Sequence, residues 1–106
     1  MHTPRHPDLH PNPEVLAMAR TSKAEAWIEL GQHEDGRWMW GLSVFERNQG
    51  YGFACGAKWK RFAPTRDEAL RAAIAEAFEH LNVRNRADGD VAGWLNTLDV
   101  RQHSLF

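Results

Sequence analysis

The chain holds a single cysteine, Cys55, among its 106 residues. One thiol excludes an internal disulfide and any cysteine-rich zinc site. No apolar run approaches the ~18 residues that a membrane span requires. The opening Met1-His2-Thr3-Pro4-Arg5-His6-Pro7 also lacks the apolar stretch of a secretory signal. An excess of one charge is missing too: thirteen Lys and Arg stand against fourteen Asp and Glu, a formal balance of −1. That balance removes the broad electrostatic footprint of a dedicated nucleic-acid binder and leaves room only for a local patch. There is no glycine-rich phosphate loop and no Ser, His and acid assignable to one site. The length suits one domain with one modest core.

What the chain does have is tryptophan. Five are present, four of them between residues 27 and 59. Their placement depends on how the chain is divided. Pro4, Pro7, Pro11 and Pro13 crowd the start, and proline at that density prevents a continuing helix and supplies no ladder donors. Residues 1–11 therefore read as an extended arm. Asn12-Pro13-Glu14 then resembles a helix start, with a capping residue, a proline suited to the first position and an acid at the positive end of the dipole. A short helix ending near Ser22 is expected.

Residues 24–33 and 37–46 alternate as strands, separated by Glu34-Asp35-Gly36. A two-residue Asp35-Gly36 turn would mix Glu29 and His33 into the apolar face. A three-residue loop with Gly36 in the left-handed conformation instead gathers Ala26, Ile28, Leu30, Trp38, Trp40, Leu42 and Val44. A one-residue slip turns every side chain to the opposite face, so the cleaner partition is preferred. A third strand over 51–60 would add Tyr51, Phe53, Cys55, Ala57 and Trp59 to the same face.

Thr65-Arg66-Asp67-Glu68 matches a capping box. Leu70, Ala73, Ile74, Ala77, Phe78 and Leu81 behind it form a stripe at helical spacing, with Arg71, Glu76 and Glu79 off it. Val91, Trp94, Leu95 and Leu98 mark a further short helix, capped by Asp88 or Asp90. The expected architecture is α+β in the order α-β-β-β-α-α. A three-stranded antiparallel meander packs on one long helix, with short helices at the N- and C-terminal ends. Residues 12–100 make a single domain and 101–106 a tail.

The order helix, three antiparallel strands, helix across 13–82 resembles the double-stranded-RNA-binding domain. Tyr51-Gly52-Phe53-Ala54-Cys55-Gly56 and Ala69-Leu70-Arg71-Ala72-Ala73-Ile74 carry the likeness. That family's RNA contacts rest on a basic cluster opening the last helix, where this chain has Asp67 and Glu68. No RNA-binding residue is carried over. Ala63-Pro64-Thr65-Arg66-Asp67-Glu68-Ala69-Leu70 also resembles the strand-to-helix junction of HicB-like antitoxin domains.

Features that could carry chemistry are few. His2, His6 and His10 recur every four residues, but Pro4 and Pro7 forbid the helix that would align them, so no metal site or cofactor is expected. Cys55 reads as a small buried residue on the inner face rather than a nucleophile. His80 lies four residues after Glu76 as an ordinary exposed helical pair, His33 lies beside the hairpin turn and His103 lies in the tail. No catalytic residue emerges, and the chain is not expected to be an enzyme.

The outer sheet face is the more informative feature. By the register it places Trp27, Met39 and Phe45 around a centre of small residues, with Arg37 beside them. A flat apolar patch of this kind has a partner or an internal cover. The candidate covers are the 91–98 helix, the N-terminal helix, a second copy of the chain, or a foreign macromolecule. The expected function is that of a small soluble cytoplasmic binding protein, an adaptor or inhibitor of the type found in phages and mobile elements, such as an antitoxin or CRISPR inhibitor. It would use Trp27, Met39, Phe45 and Arg37 on a protein partner or on itself as a homodimer. The alternative is a nucleic-acid-binding module built on the basic stretch Lys58, Lys60, Arg61 and Arg66.

Overall fold

The long hairpin sets the register of the molecule. In the computed structural model, which describes residues 13–47, 49–83 and 89–104, strand β2 (Ala24–Gln32) pairs antiparallel with β3 (Trp38–Glu46), Ile28 opposite Leu42 and Leu30 opposite Trp40. The connection is the three-residue loop that the alternation predicts. His33 N donates to Arg37 O (2.8 Å), Gly36 N donates to His33 O (2.9 Å), and Gly36 has φ 94°, a conformation that glycine adopts without steric cost. The inner face therefore carries Ala24, Ala26, Ile28, Leu30, Leu42 and Val44, all buried, with Trp38 and Trp40 packed against them. Strand β4 (Gln49–Phe53) pairs with β3 and turns Tyr51 and Phe53 to the same face.

The sheet has more strands than the alternation shows. The segment read as an N-terminal helix is instead strand β1 (Glu14–Ala17), placed on the open edge of β2 with Leu16 opposite Ile28. An isolated helix this short is marginal in water, whereas the strand gains the ladder of β2. It also sets Leu16 against the core and brings the Glu14 carboxylate to Arg66, 2.7 Å away. The third strand also ends early. It leaves the sheet after Phe53 and returns as β5 (Phe62–Ala63), opposite Met39 and Trp38. Residues 54–61 thus stand opposite only Trp40 and Gly41: Ala54 and Cys55 pass over the outer side of Gly41, a 3-10 turn follows at Ala57–Trp59, and Trp59 and Arg61 come back against Phe53 and Glu76. Gly41 makes the crossing possible, because a Cβ there would lie 2.7 Å from both Ala54 C and Phe53 O and closer still to Cys55 N. Cys55 is accordingly buried on the outer side and not beneath the helix, and Trp59 is 39% exposed instead of filling the inner core.

Helix α1 (Arg66–Val83) lies on the inner face. Thr65 Oγ1 caps it by accepting from Glu68 N (3.1 Å); of the expected stripe Leu70, Ala73, Ile74, Ala77 and Leu81 are buried and Phe78 is partly buried against them, and Ala69 is buried as well. Helix α2 (Asp90–Ser104) packs beside α1, and its Val91, Ala92, Leu95 and Leu98 join the same core. Asp88 lies outside the described residues and Asp90 is itself the first residue of α2; the side-chain cap that the structure shows is a distant one. It comes from Glu46 at the end of β3, whose carboxylate accepts from Asp90 N (3.3 Å) and Val91 N (3.4 Å). An acid at the positive end of the helix dipole is favourable there, and it explains how a residue only 6% exposed can be a glutamate. The fold is α+β, an antiparallel sheet in the order β1-β2-β3-β4 with β5 beside β3, and two helices on one face. The strand at its start also separates it from the helix-first order of the double-stranded-RNA-binding domain. The arm 1–11 and the connection 84–88 lie outside the described residues.

Candidate partner-binding face

With both helices on the inner face, the described residues that cross the outer face belong to the 54–61 segment. Two rows of outward residues cross the part they leave open, Glu25, Phe45 and Gly50 and then Trp27, Ser43 and Gly52, while Glu29 and Gly41 in the next row meet the crossing. Glycine supplies two positions on β4, so this corner has ring walls and a backbone floor. The result is a concavity of about 450 Å³ lined by Trp27, Glu29, Ser43, Phe45, Gly50 and Gly52. Phe45 is 44% exposed and its ring lies over Gly50. Gly52 is required by close approach, since a Cβ there would meet Leu42 O at 2.5 Å. At the inner end the Glu29 carboxylate accepts from Cys55 N (3.0 Å), tying the crossing to β2.

The four residues expected to share this face are divided. Trp27 and Phe45 line the concavity. Met39 points to the same side but is fully buried, in the part of the sheet where β5 pairs with β3 and the crossing passes over Gly41. Arg37 sits at the far end of the hairpin. It pairs with Asp35 at 2.7 Å, and its guanidinium lies 3.8 Å from the centre of the Phe62 ring. The Arg37 guanidinium and backbone N–H together hold the Asp35 carboxyl down to about 2. The register places Glu29 and Gly52 on this face without marking them as binding residues, and it leaves Gly50 in the turn before the third strand. The only signal was the pair of glycines in Gly50-Tyr51-Gly52-Phe53, which leaves one side of an otherwise aromatic strand bare.

The basic stretch is likewise divided. Arg66 is held by Glu14 and Asp67, and the Glu14 hydrogen bond raises its pKa further above the arginine value. Arg61 binds Glu76 through Nε and a terminal nitrogen and lies 4.7 Å above the Phe53 ring. Lys58 sits 5.0 Å from the Trp59 ring, and Lys60 occupies a left-handed turn position with φ 57°. Glu76, expected off the buried stripe, is a half-buried acceptor that also receives Trp40 Nε1 (3.1 Å) and Tyr51 Oη (3.0 Å). Burial alone would raise the Glu76 carboxyl, but hydrogen bonds from Arg61, Trp40 and Tyr51 outweigh it and hold the group below the usual carboxylate range. His80, expected to be an exposed partner of Glu76, stacks on Tyr51 with ring centres 4.3 Å apart.

Searches of protein-family models, curated proteins and solved structures return no match. Among the described residues no group of three or more His, Cys, Asp or Glu is placed to hold a metal ion. His2, His6 and His10 lie outside the described residues, as does the side chain of His103. No helix among the described residues is long and apolar enough to cross a membrane.

Proposed function

We propose that the chain is a small non-catalytic binding protein, an adaptor or inhibitor, that engages a macromolecular partner through the open part of its outer sheet face and the adjoining β4 edge. One observation carries this reading: α1 and α2 share the inner face, so Trp27 and Phe45 flank a concavity that no described element covers. Large aromatic rings around a desolvatable hollow are the usual anchors of protein interfaces. The clustered ionisable groups offer no comparable site, because Glu76 and Arg61 satisfy each other. A lone thiol buried under the crossing suits a reducing compartment, and the proposal places the protein in the cytoplasm.

The test compares the full chain with its Trp27→Ala and Phe45→Ala variants. Both variants should lose a partner retained by the parent protein, or lose self-association in sedimentation, with melting temperature lowered by no more than about 5 °C. A large loss of melting temperature from both, with association unchanged, would make these residues core and sink the proposal. A second reading, nucleic-acid binding, is supported by exposed Trp59 between Lys58 and Lys60, a stacking surface beside two cations. Against it stand Glu14 and Glu76, which hold Arg66 and Arg61. Binding of a single-stranded oligonucleotide that falls steeply as salt rises would favour it, and no binding at low salt would end it.

A further inference from the structure

We propose that the β4 edge captures an extended segment of a partner protein by strand addition, with a large apolar side chain of that segment laid over Gly52 into the hollow between Trp27 and Phe45. This inference rests on the binding reading above and names the partner's chemistry. The backbone phase carries it. His33 N donates to Arg37 O and Arg47 N to Lys23 O, so the odd-numbered residues of β3 bond to β2. Hydrogen-bonded and non-bonded pairs alternate along an antiparallel ladder, so the even-numbered residues of β3 face β4. Leu42, Val44 and Glu46 therefore bond to Phe53, Tyr51 and Gln49. The N–H and C=O groups of Gly50 and Gly52 point away from the sheet, and among the described residues no strand pairs with that edge.

Soluble proteins commonly blunt such an edge with lysine, proline or a bulge. Gln49-Gly50-Tyr51-Gly52-Phe53 has none of these and no charge. An incoming strand would meet Gly50 and Gly52 in hydrogen-bonded register, and its side chains at those positions would fall on the outer face, beside residues that have none. A ring or long aliphatic chain fills such a gap. It would reach across the glycine floor toward Trp27 and Phe45. Among the described residues the one charged group lining the hollow is the Glu29 carboxylate, which suits a neutral or basic segment and repels an acidic one. A second copy fits less well. Self-pairing centred on Tyr51 would set Gly50 opposite Gly52 of the other molecule and leave the hollow empty.

The experiment uses the full chain as bait for a phage-displayed library of random nine-residue peptides, followed by synthesis of the recovered peptides. The expected peptides have large apolar residues at alternating positions and shift the Gly50 and Gly52 amide resonances of the ¹⁵N-labelled chain. N-methylation of alternate peptide amides should weaken binding about tenfold or more, and methylation of the intervening amides should have little effect. Phe45→Ala should also weaken binding about tenfold, with the melting temperature held. Peptides that depend on Trp27 and Phe45 but show no alternation under N-methylation would overturn strand addition and leave the face reading standing. A dimer lost in Trp27→Ala and Phe45→Ala, with no peptide recovered, would assign the face to a second copy and overturn the proposal. A monomer that recovers no peptide dependent on these rings would overturn both.

Discussion

Replacing Gly89 with alanine tests how α2 is held. Gly89 is the residue before the helix, and its carbonyl accepts from Gly93 N (3.1 Å). A Cβ at this position would lie 2.6 Å from Glu46 Cδ and closer still to Oε2. Its backbone lies outside the positive-φ region, so the alanine itself is not strained, and the carboxylate must move away. The loss is then that of the cap to Asp90 N and Val91 N, about 0.5–2 kcal/mol. To this is added about 1–3 kcal/mol for leaving a buried charged group without its donors. Restricting the unfolded chain returns about 0.4–1 kcal/mol. A net loss of about 2 kcal/mol is expected, a fall of roughly 8–16 °C in melting temperature by calorimetry. The decisive measurement is the same substitution in a Glu46→Ala background. With the carboxylate gone, alanine at 89 should be neutral or stabilising, so the sign of its effect reverses. An equal loss with and without Glu46 would refute the cap.

Two further perturbations probe the crossing and the buried acceptor. Gly41→Ala places a Cβ against the backbone of residues 53–55, and it should cost about 3 kcal/mol and make the Cys55 thiol reactive toward a maleimide in the native state; an unreactive thiol at an unchanged melting temperature would show that the crossing is not seated on Gly41. Glu76→Gln removes the charge that Arg61 binds. Because the folded pKa of Glu76 lies below its ordinary value of 4.5, the stabilisation from its ionised form is fully present above that value and lost as pH falls through the lower folded value. The melting-temperature gap between parent and Glu76→Gln should therefore be largest near neutral pH and close in acid, and a gap that widens in acid would contradict the assignment.

The parts of the fold legible in the sequence are those decided by neighbouring residues. The hairpin register follows because slipping by one residue would have put Glu29 among the core side chains. Thr65 and the stripe from Leu70 to Leu81 likewise carry their own cap and period. The parts that were not legible are decided by distant partners. Asn12-Pro13-Glu14 has the local marks of a helix start, but the open edge of β2 and Arg66, 52 residues away, hold the segment as a strand. Glu46 and Glu76 look like surface acids until α2 and Arg61 are set beside them. In the candidate site, parity alone placed Trp27 and Phe45 on the outer face. It placed Met39 there too, but the burial of Met39 depends on a crossing whose sequence mark is only the missing side chain of Gly41.

That crossing has a consequence for how the molecule can vary. The chain leaves the sheet opposite Leu42 and rejoins it opposite Met39, so the ladder does not dictate how many residues lie between. Lengthening a surface connection costs little, roughly 0.6 kcal/mol per doubling. Residues 54–61 thus act as an adjustable awning over a rigid floor. A longer segment would shade Trp27 and shrink the exposed aromatic area. A shorter one would uncover Met39 and extend the same surface along β3, with every strand left where it is.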